Sequence, residues 1–340
     1  MPDLASLVNR QVRLAARPKG MTTRADWRFV DEPVAAPEPG GAVVQTLYLS
    51  LDPAMRGWMN EGESYIPPVG IGEVMRAGAV GEVVASKHDR FAEGTHVYGT
   101  FGVQQYATSD GRGIQKVDPD AAPLPTYLGA LGMTGMTAYF GLLDVGDLKA
   151  GETVVVSGAA GAVGSAVGQI AKLKGCRAVG IAGGAEKCAH VVEDLGFDAC
   201  IDYKSEDVRK ALREHCPDRI DVYFDNVGNP ILDQVLTRLN THARVVICGA
   251  IAQYNSDRIE GPANYIQLLV RRARMEGFVV FDYADRYAQA AQEIAGWMKD
   301  GSFTTREDIT QAPVDAFPQV LRRLFDGDNV GKLVLEVDHA

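Results

Sequence analysis

Apolar positions along the 340 residues follow two different periods, and the change falls near residue 152. Before it, apolar residues come in short alternating runs broken by Gly and Pro. Runs at 43–49, 80–84 and 95–101 have the period of two that sets every second side chain on one face of a strand. Several such strands in succession predict a partly open, barrel-like β domain. Pro123 and Pro125 punctuate its end, a helix-period pattern covers 127–143, and a turn follows at 147–151.

After residue 152, apolar runs of strand length alternate with stretches of helix period. Strands are predicted at 153–157, 177–181, 199–202, 220–225, 243–248 and 275–281. Helices are predicted between them at 165–174, 187–195, 206–215, 230–239 and 263–272. That alternation predicts an α/β architecture: a Rossmann-type, doubly wound sheet of six parallel strands, with its ligand beyond their carboxyl ends. An amphipathic helix pattern at 285–299, another at 316–325 and a last strand at 332–337 complete the chain.

Composition narrows the class. With 46% hydrophobic and 23% charged residues, the chain is of ordinary globular make-up and long enough for two domains. A net charge of −10 and no dense Lys/Arg stripe argue against a nucleic-acid partner. Arg271, Arg272 and Arg274, the one tight basic cluster, read as a solvated helix end. No apolar stretch reaches membrane-spanning length, and residues 1–13 lack an apolar leader core, so neither a membrane nor export is expected. Cys176, Cys188, Cys200, Cys216 and Cys248 are scattered and read as reduced thiols of a cytoplasmic protein. The histidines are isolated, with His88 and His96 read as surface residues, and no metal site is expected.

The strongest chemical signal is the segment 154–164, Val-Val-Val-Ser-Gly-Ala-Ala-Gly-Ala-Val-Gly. A strand pattern runs into a glycine-spaced turn and then a helix pattern. Gly158, Gly161 and Gly164, with Ala160, Ala162 and Val163 between them, let the backbone approach a pyrophosphate, whose charge sits on the N–H groups opening the helix. The strand–turn–helix context is what makes this a dinucleotide motif rather than a surface turn. The second strand then ends in Gly183-Gly184 without the carboxylate that would bind a ribose 2′-OH, and Lys187 follows. A missing acid and a nearby cation favour a 2′-phosphate, hence NADP; a solvated helix lysine is the alternative. Tyr203, after the third strand, packs either on the adenosine side or as a plain edge aromatic. Asn226, in Asp225-Asn226-Val227-Gly228 at the end of the fourth strand, is either a ribose contact or part of an Asx turn.

Further segments extend along nearly the whole chain: 51–56 (Leu-Asp-Pro-Ala-Met-Arg), 132–139 (Gly-Met-Thr-Gly-Met-Thr-Ala-Tyr), 225–228, 247–251, Tyr254-Asn255 and 327–332. With the glycine turn, they make the chain resemble the zinc-independent medium-chain dehydrogenase/reductase superfamily, within it the prostaglandin reductase (leukotriene B4 12-hydroxydehydrogenase) and 2-alkenal reductase group. The resemblance implies a GroES-like β domain over 1–128, completed by 303–340, and a Rossmann domain over 129–302. It implies NADPH held through the glycine turn, Gly183, Lys187, Tyr203, Asn226 and Asn329, with the nicotinamide near Met133, Thr137, Cys248, Phe278 and Val280. Zinc-dependent relatives carry a Gly-His-Glu segment; the apparent equivalent here, Gly70-Ile71-Gly72-Glu73, has no His. Many animal and plant members have a Tyr by the substrate where this chain has Ala54, so their substrate preference does not transfer.

The implied reaction is metal-free reduction of the C=C bond of an α,β-unsaturated ketone or aldehyde. Hydride arrives at the β-carbon, and the carbonyl oxygen, becoming an enolate, needs a donor. Tyr254, a phenol after the fifth strand, is the candidate catalytic group and substrate contact; a loop tyrosine with only a packing role is the alternative. Arg56 either orients substrate or, the preferred reading, holds the fold through an ion pair. Two rival functions remain at this stage, an NADPH quinone reductase and a non-catalytic NADPH-binding sensor. A homodimer built on the cofactor domain is expected, because the apolar run 277–281 would otherwise leave a sheet edge open to water.

Overall fold

The computed structural model describes residues 4–256 and 258–339. In chain order the strands are β1 (Val8–Leu14), β2 (Trp27–Pro33), β3 (Ala42–Ser50), β4 (Ala79–Ser86), β5 (His96–Gly99), β6 (Tyr106–Ser109), β7 (Gln115–Lys116), β8 (Thr153–Ser157), β9 (Arg177–Ala182), β10 (Ala199–Asp202), β11 (Ile220–Asp225), β12 (Leu239–Ile247), β13 (Arg274–Gly277), β14 (Glu307–Pro313) and β15 (Lys332–Asp338). The α-helices are α1 (Ala54–Trp58), α2 (Met133–Phe140), α3 (Ala162–Leu173), α4 (Ala185–Glu193), α5 (Val208–His215), α6 (Ile231–Leu236), α7 (Ile266–Arg271), α8 (Tyr287–Lys299) and α9 (Phe317–Asp326). The chain divides into two compact units, one running to Leu128 and resumed from Glu307, the other Gly129–Arg306.

The first unit is organised by β3. Its first half pairs with β6 and its second half with β15, while β4 lines the other edge. Two register shifts along the β3–β4 ladder bend the sheet, as bulges do. The strand order is β14-β15-β3-β4-β5-β7, a partly open barrel-like sheet. The returning strand β15 is clamped from inside. Lys332, 3% exposed, donates from Nζ to Asp52 Oδ1 (2.8 Å) and to the Leu51 carbonyl (2.7 Å). Truncating one member of such a buried pair strands the other charge and costs about 3–5 kcal/mol, so the 51–56 segment and the chain's end are held as one piece.

The second unit is a six-stranded parallel sheet, ordered β10-β9-β8-β11-β12-β13. Alternation along each strand feeds two cores. Val154, Val156, Val222, Phe224 and Val246 join α3 on one face. Val155, Tyr223 and Val245 join α5 and α6 on the other. An apolar strand of period two needs a cover on both faces, and the intervening helices supply it.

Besides shifts of a few residues at element ends, two expectations differ from the observed elements in kind. The helix expected over 127–143 is three pieces: a 3-10 turn at Leu124–Leu128, α2, and a π turn at Gly141–Val145. A Cβ at Gly135 would lie 1.8 Å from the Ala130 carbonyl, so α2 runs directly against the preceding loop. The strand expected at 275–281 is only β13, followed by a 3-10 helix over Val280–Arg286. Its partner β12 ends at Ile247, opposite Gly277, so there is no ladder for Phe278 to continue. The Phe278 ring instead packs edge-on to Phe224, its centroid 6.3 Å away.

Candidate functional site

The adjacent strands β8 and β11 lead into α3 and α6, which pack on opposite faces of the sheet. At such a reversal of strand order a crevice opens beyond the carboxyl ends, the place where doubly wound sheets bind ligands. Ser157 ends β8, and Gly158 follows with φ +63°, a conformation side-chain-bearing residues rarely adopt. The Gly161 N–H closes back on the Gly158 carbonyl at 3.0 Å. A Cβ at Gly164 would lie 2.2 Å from that same carbonyl, so only glycine lets the helix start this close to the turn. Helix α3 begins at Ala162, three residues earlier than its periodicity predicts, so Ala162, Val163 and Gly164 form its first turn and Ala160 lies buried beneath. N–H groups of a first turn have no intrahelical acceptor and sit at the positive end of the helix dipole. This is a cradle for an anionic diphosphate.

The wall opposite the cradle hangs on a residue that periodicity passes over. Asp225, the last residue of β11, is 1% exposed. Its Oδ1 accepts from Ser157 Oγ (2.9 Å), Tyr223 Oη (2.8 Å), Val227 N (3.0 Å) and Gly228 N (2.9 Å). Burial pushes its carboxyl above the ordinary range, while these four donors pull the other way. The Asx turn is therefore present but made by Asp225. Asn226 ties the strand ends instead, its Nδ2 donating to the Ser157 carbonyl (2.8 Å) and its N–H to Ser157 Oγ (3.0 Å). Neither Ser157 nor Asp225 stands out in the sequence. Both look like the polar last residue of an apolar strand, and that shared position at two strand ends is the signal that finds them.

The end of β12 is built on the same residue. The Asp225 carbonyl accepts from Cys248 N (2.9 Å) and Gly249 N (3.1 Å). The Asn226 and Val227 carbonyls accept from Ile251 N and Ala252 N, each at 3.2 Å, at the 3-10 turn Ile251–Gln253. Tyr254 closes that turn, and its Oη accepts from Ala250 N at 3.2 Å. A Cβ on Gly249 would stand 2.8 Å from this hydroxyl, so glycine is required for it to lie there.

At the other end, Gly184 (φ +103°) caps α4, and Lys187 stands in the first turn of that helix. The Tyr203 ring covers Gly183, where a Cβ would lie 2.9 Å from it, and is 47% exposed. The second strand carries no carboxylate, but Asp202 from the third accepts from Gly184 N at 2.7 Å. That bond, with donors from Ser205 and Lys204, holds Asp202 below the usual carboxylate range. Its charge is thus engaged by the turn that α4 starts from.

Met133, Cys248 and Phe278 border the apolar cluster that also contains Ala160 and Val280. Thr137 returns its hydroxyl to the Met133 carbonyl (2.7 Å). Burial pushes the Cys248 thiol up to about 12, with Asp225 adding to the effect, so it is a neutral thiol at pH 7. Two expected site residues belong to the first unit. Asn329 donates from Nδ2 to the Gly331 carbonyl (3.0 Å) within its own turn. Arg56, 4% exposed, donates to the Gly20 and Pro18 carbonyls (both 3.0 Å) and to Asn60. These bonds support the fold-holding reading of Arg56.

Comparison with known proteins bears on this geometry. A family described as the N-terminal domain of oxidoreductase matches residues 10–117, and one described as zinc-binding dehydrogenase matches 162–296. The NADPH-dependent curcumin reductase of Escherichia coli (strain K12) is 44% identical over 335 residues, 97% of each chain. The 2-alkenal reductase (NADP(+)-dependent) of Nicotiana tabacum is 39% identical over 335 residues, again 97% of each. The crystal structure of CurA in complex with NADPH from Vibrio vulnificus superposes with a TM-score of 0.92 at 43% identity, covering 97% of this chain and all of that one. The residues do not fit a zinc ion. Among the described residues no three His, Cys, Asp or Glu side chains cluster as ligands would, and Glu73 folds back onto the Gly70 N–H at 2.7 Å.

Proposed function

The chain belongs to the zinc-independent medium-chain dehydrogenases/reductases, in the group of prostaglandin, 2-alkenal and curcumin reductases, and from that premise we propose that it saturates the C=C bond of α,β-unsaturated ketones and aldehydes with NADPH. The observation that carries this reading is the convergence of three strand ends: the glycine cradle after β8, the Asp225 turn after β11 and the Tyr254 hydroxyl after β12. Bound NADPH would supply a hydride to the β-carbon. The rest falls to the chain. Tyr254 donates its O–H to the carbonyl oxygen as enolate charge develops there, and the Ala250 N–H on its oxygen favours that donation by stabilising the phenol's own developing charge. A proton then reaches the α-carbon, and the product is the saturated carbonyl compound.

Cofactor choice is assigned to the α4 end. Lys187 meets the 2′-phosphate, Tyr203 covers the adenosine, and the cradle from Gly158 to Gly164 takes the diphosphate. Met133, Thr137, Cys248, Phe278 and Val280 supply the apolar surround of the nicotinamide, with Asn226 as a further contact. The five free thiols fit a reducing compartment, the cytoplasm. Among the described residues no helix is long and apolar enough to cross a membrane. A second copy of the chain is the proposed partner at the β13 edge, where Ile266, Leu269 and Val270 of α7 and Phe281 are exposed.

NADPH oxidation over a panel of enones, enals and quinones tests the function. Turnover of enones and enals is expected; turnover of quinones alone favours a quinone reductase, and none at all a sensor. Replacing Lys187 by Ala should weaken NADPH binding by about 1.5–3 kcal/mol, the worth of a charge-assisted hydrogen bond, and leave NADH binding unchanged; equal titrations of wild type and variant with NADPH would refute the assignment. Light scattering at micromolar concentration should give twice the chain mass of 36.6 kDa, and a monomer mass contradicts the pairing.

A further inference from the structure

We infer that Asp225 is a positioning residue for Tyr254, acting through the backbone of the 226–228 turn; the inference rests on the proposed role of Tyr254 as donor. Asp225 is fully enclosed, so it touches neither substrate nor cofactor. What it holds is a continuous series of bonds. Oδ1 fixes Val227 N and Gly228 N. The turn so formed presents the Asn226 and Val227 carbonyls to Ile251 N and Ala252 N. Those residues begin the 3-10 turn that ends in Tyr254, whose hydroxyl returns to Ala250 N. Gly228 (φ +78°) packs so closely on Ala250 that a Cβ there would meet the alanine's at 3.0 Å, so the two turns move together.

The chemistry of the side chain is equally specific. Four donors converge on Oδ1, whereas Oδ2 is buried with no hydrogen-bond partner. The turn needs one planar oxygen at this distance from the backbone. Asparagine keeps that oxygen but places two N–H donors where Oδ2 has no partner, and alanine has no such oxygen. Ser157 Oγ, one of the four donors, leads into the glycine cradle, so any effect of Asp225 on the cradle is read in the NADPH titration and the chemical step is compared at saturating NADPH.

A double-substitution cycle tests this, with single-turnover NADPH oxidation on a simple enone, NADPH titration and hydrogen exchange of the cofactor-free protein. Tyr254→Phe alone should slow the chemical step by about 10²-fold or more. Asp225→Ala should slow it by about 10²-fold, the cost of misplacing a reacting group by about 1 Å. Asp225→Asn, which keeps the accepting oxygen, should be slowed clearly less than Asp225→Ala. In the Tyr254→Phe background, Asp225→Ala should cost no more than about 2-fold, the scatter of independent sites. Amides of 249–256 should exchange faster in the Asp225→Ala protein. A purely structural role would lower both backgrounds alike, and equal losses, or unchanged exchange, would overturn the inference. If Asp225→Ala does not fold, Ser157→Ala, which removes one donor and the acceptor of Asn226 N, should show the same coupling at smaller size, and its absence overturns the inference too. A Tyr254→Phe enzyme with wild-type chemical rate would refute the donor role itself, a failure distinct from additive losses beside a slow Tyr254→Phe enzyme.

Discussion

Two parallel strands that send their helices to opposite faces must part at their carboxyl ends, and here one buried carboxyl group spans the parting. Ser157 at the end of β8 donates to Asp225 at the end of β11, and the glycine cradle and the 226–228 turn both start beside that bond. Burying a polar group is costly unless it is hydrogen-bonded, and here one carboxyl oxygen takes four donors while the other takes none. The reward is geometric. A turn bonded at every step has one conformation, and a ligand cradle needs its N–H groups in place before the ligand arrives.

From this junction the chemistry spreads outward by short covalent distances. One residue after Ser157 the chain enters the glycine cradle. One residue after Asp225 it enters the turn that carries the β12 extension and Tyr254. The two poles of the reaction, an anion-binding helix start and a phenolic donor, therefore share a rigid origin rather than sitting on independent loops. The first unit is held by a different device, the buried Lys332–Asp52 pair that joins the last strand to the 51–56 segment. Each unit thus has its own internal clamp, made of polar groups that the apolar core alone would not orient.

Much of this was legible in the sequence where one period dominates. The strands at 153–157, 199–202 and 220–225 stand where the apolar runs place them, because a strand covered on both faces has nowhere to slip. Periodicity failed where glycine or a missing partner decided. It merged three elements across 127–143, since Gly132 and Gly141 are silent in an apolar count. It extended β13 through Phe278, since the end of β12 is invisible from β13. In the site, the glycine turn was readable because its spacing is local. Asp225 and Asp202 were not, because their roles depend on strands 68 and 18 residues away being neighbours. Arg56 illustrates the same limit: nothing near it in sequence shows that its guanidinium bonds the Pro18 and Gly20 carbonyls.

The junction serves reduction of a carbon–carbon double bond and not of a carbonyl group. Transfer of label from NADPH deuterated at its reactive C4 position to 4-phenyl-3-buten-2-one decides between them. The account predicts 4-phenyl-2-butanone with deuterium on the carbon bearing the phenyl ring, the β-carbon of the enone. Deuterium on the carbinol carbon of an allylic alcohol would contradict it.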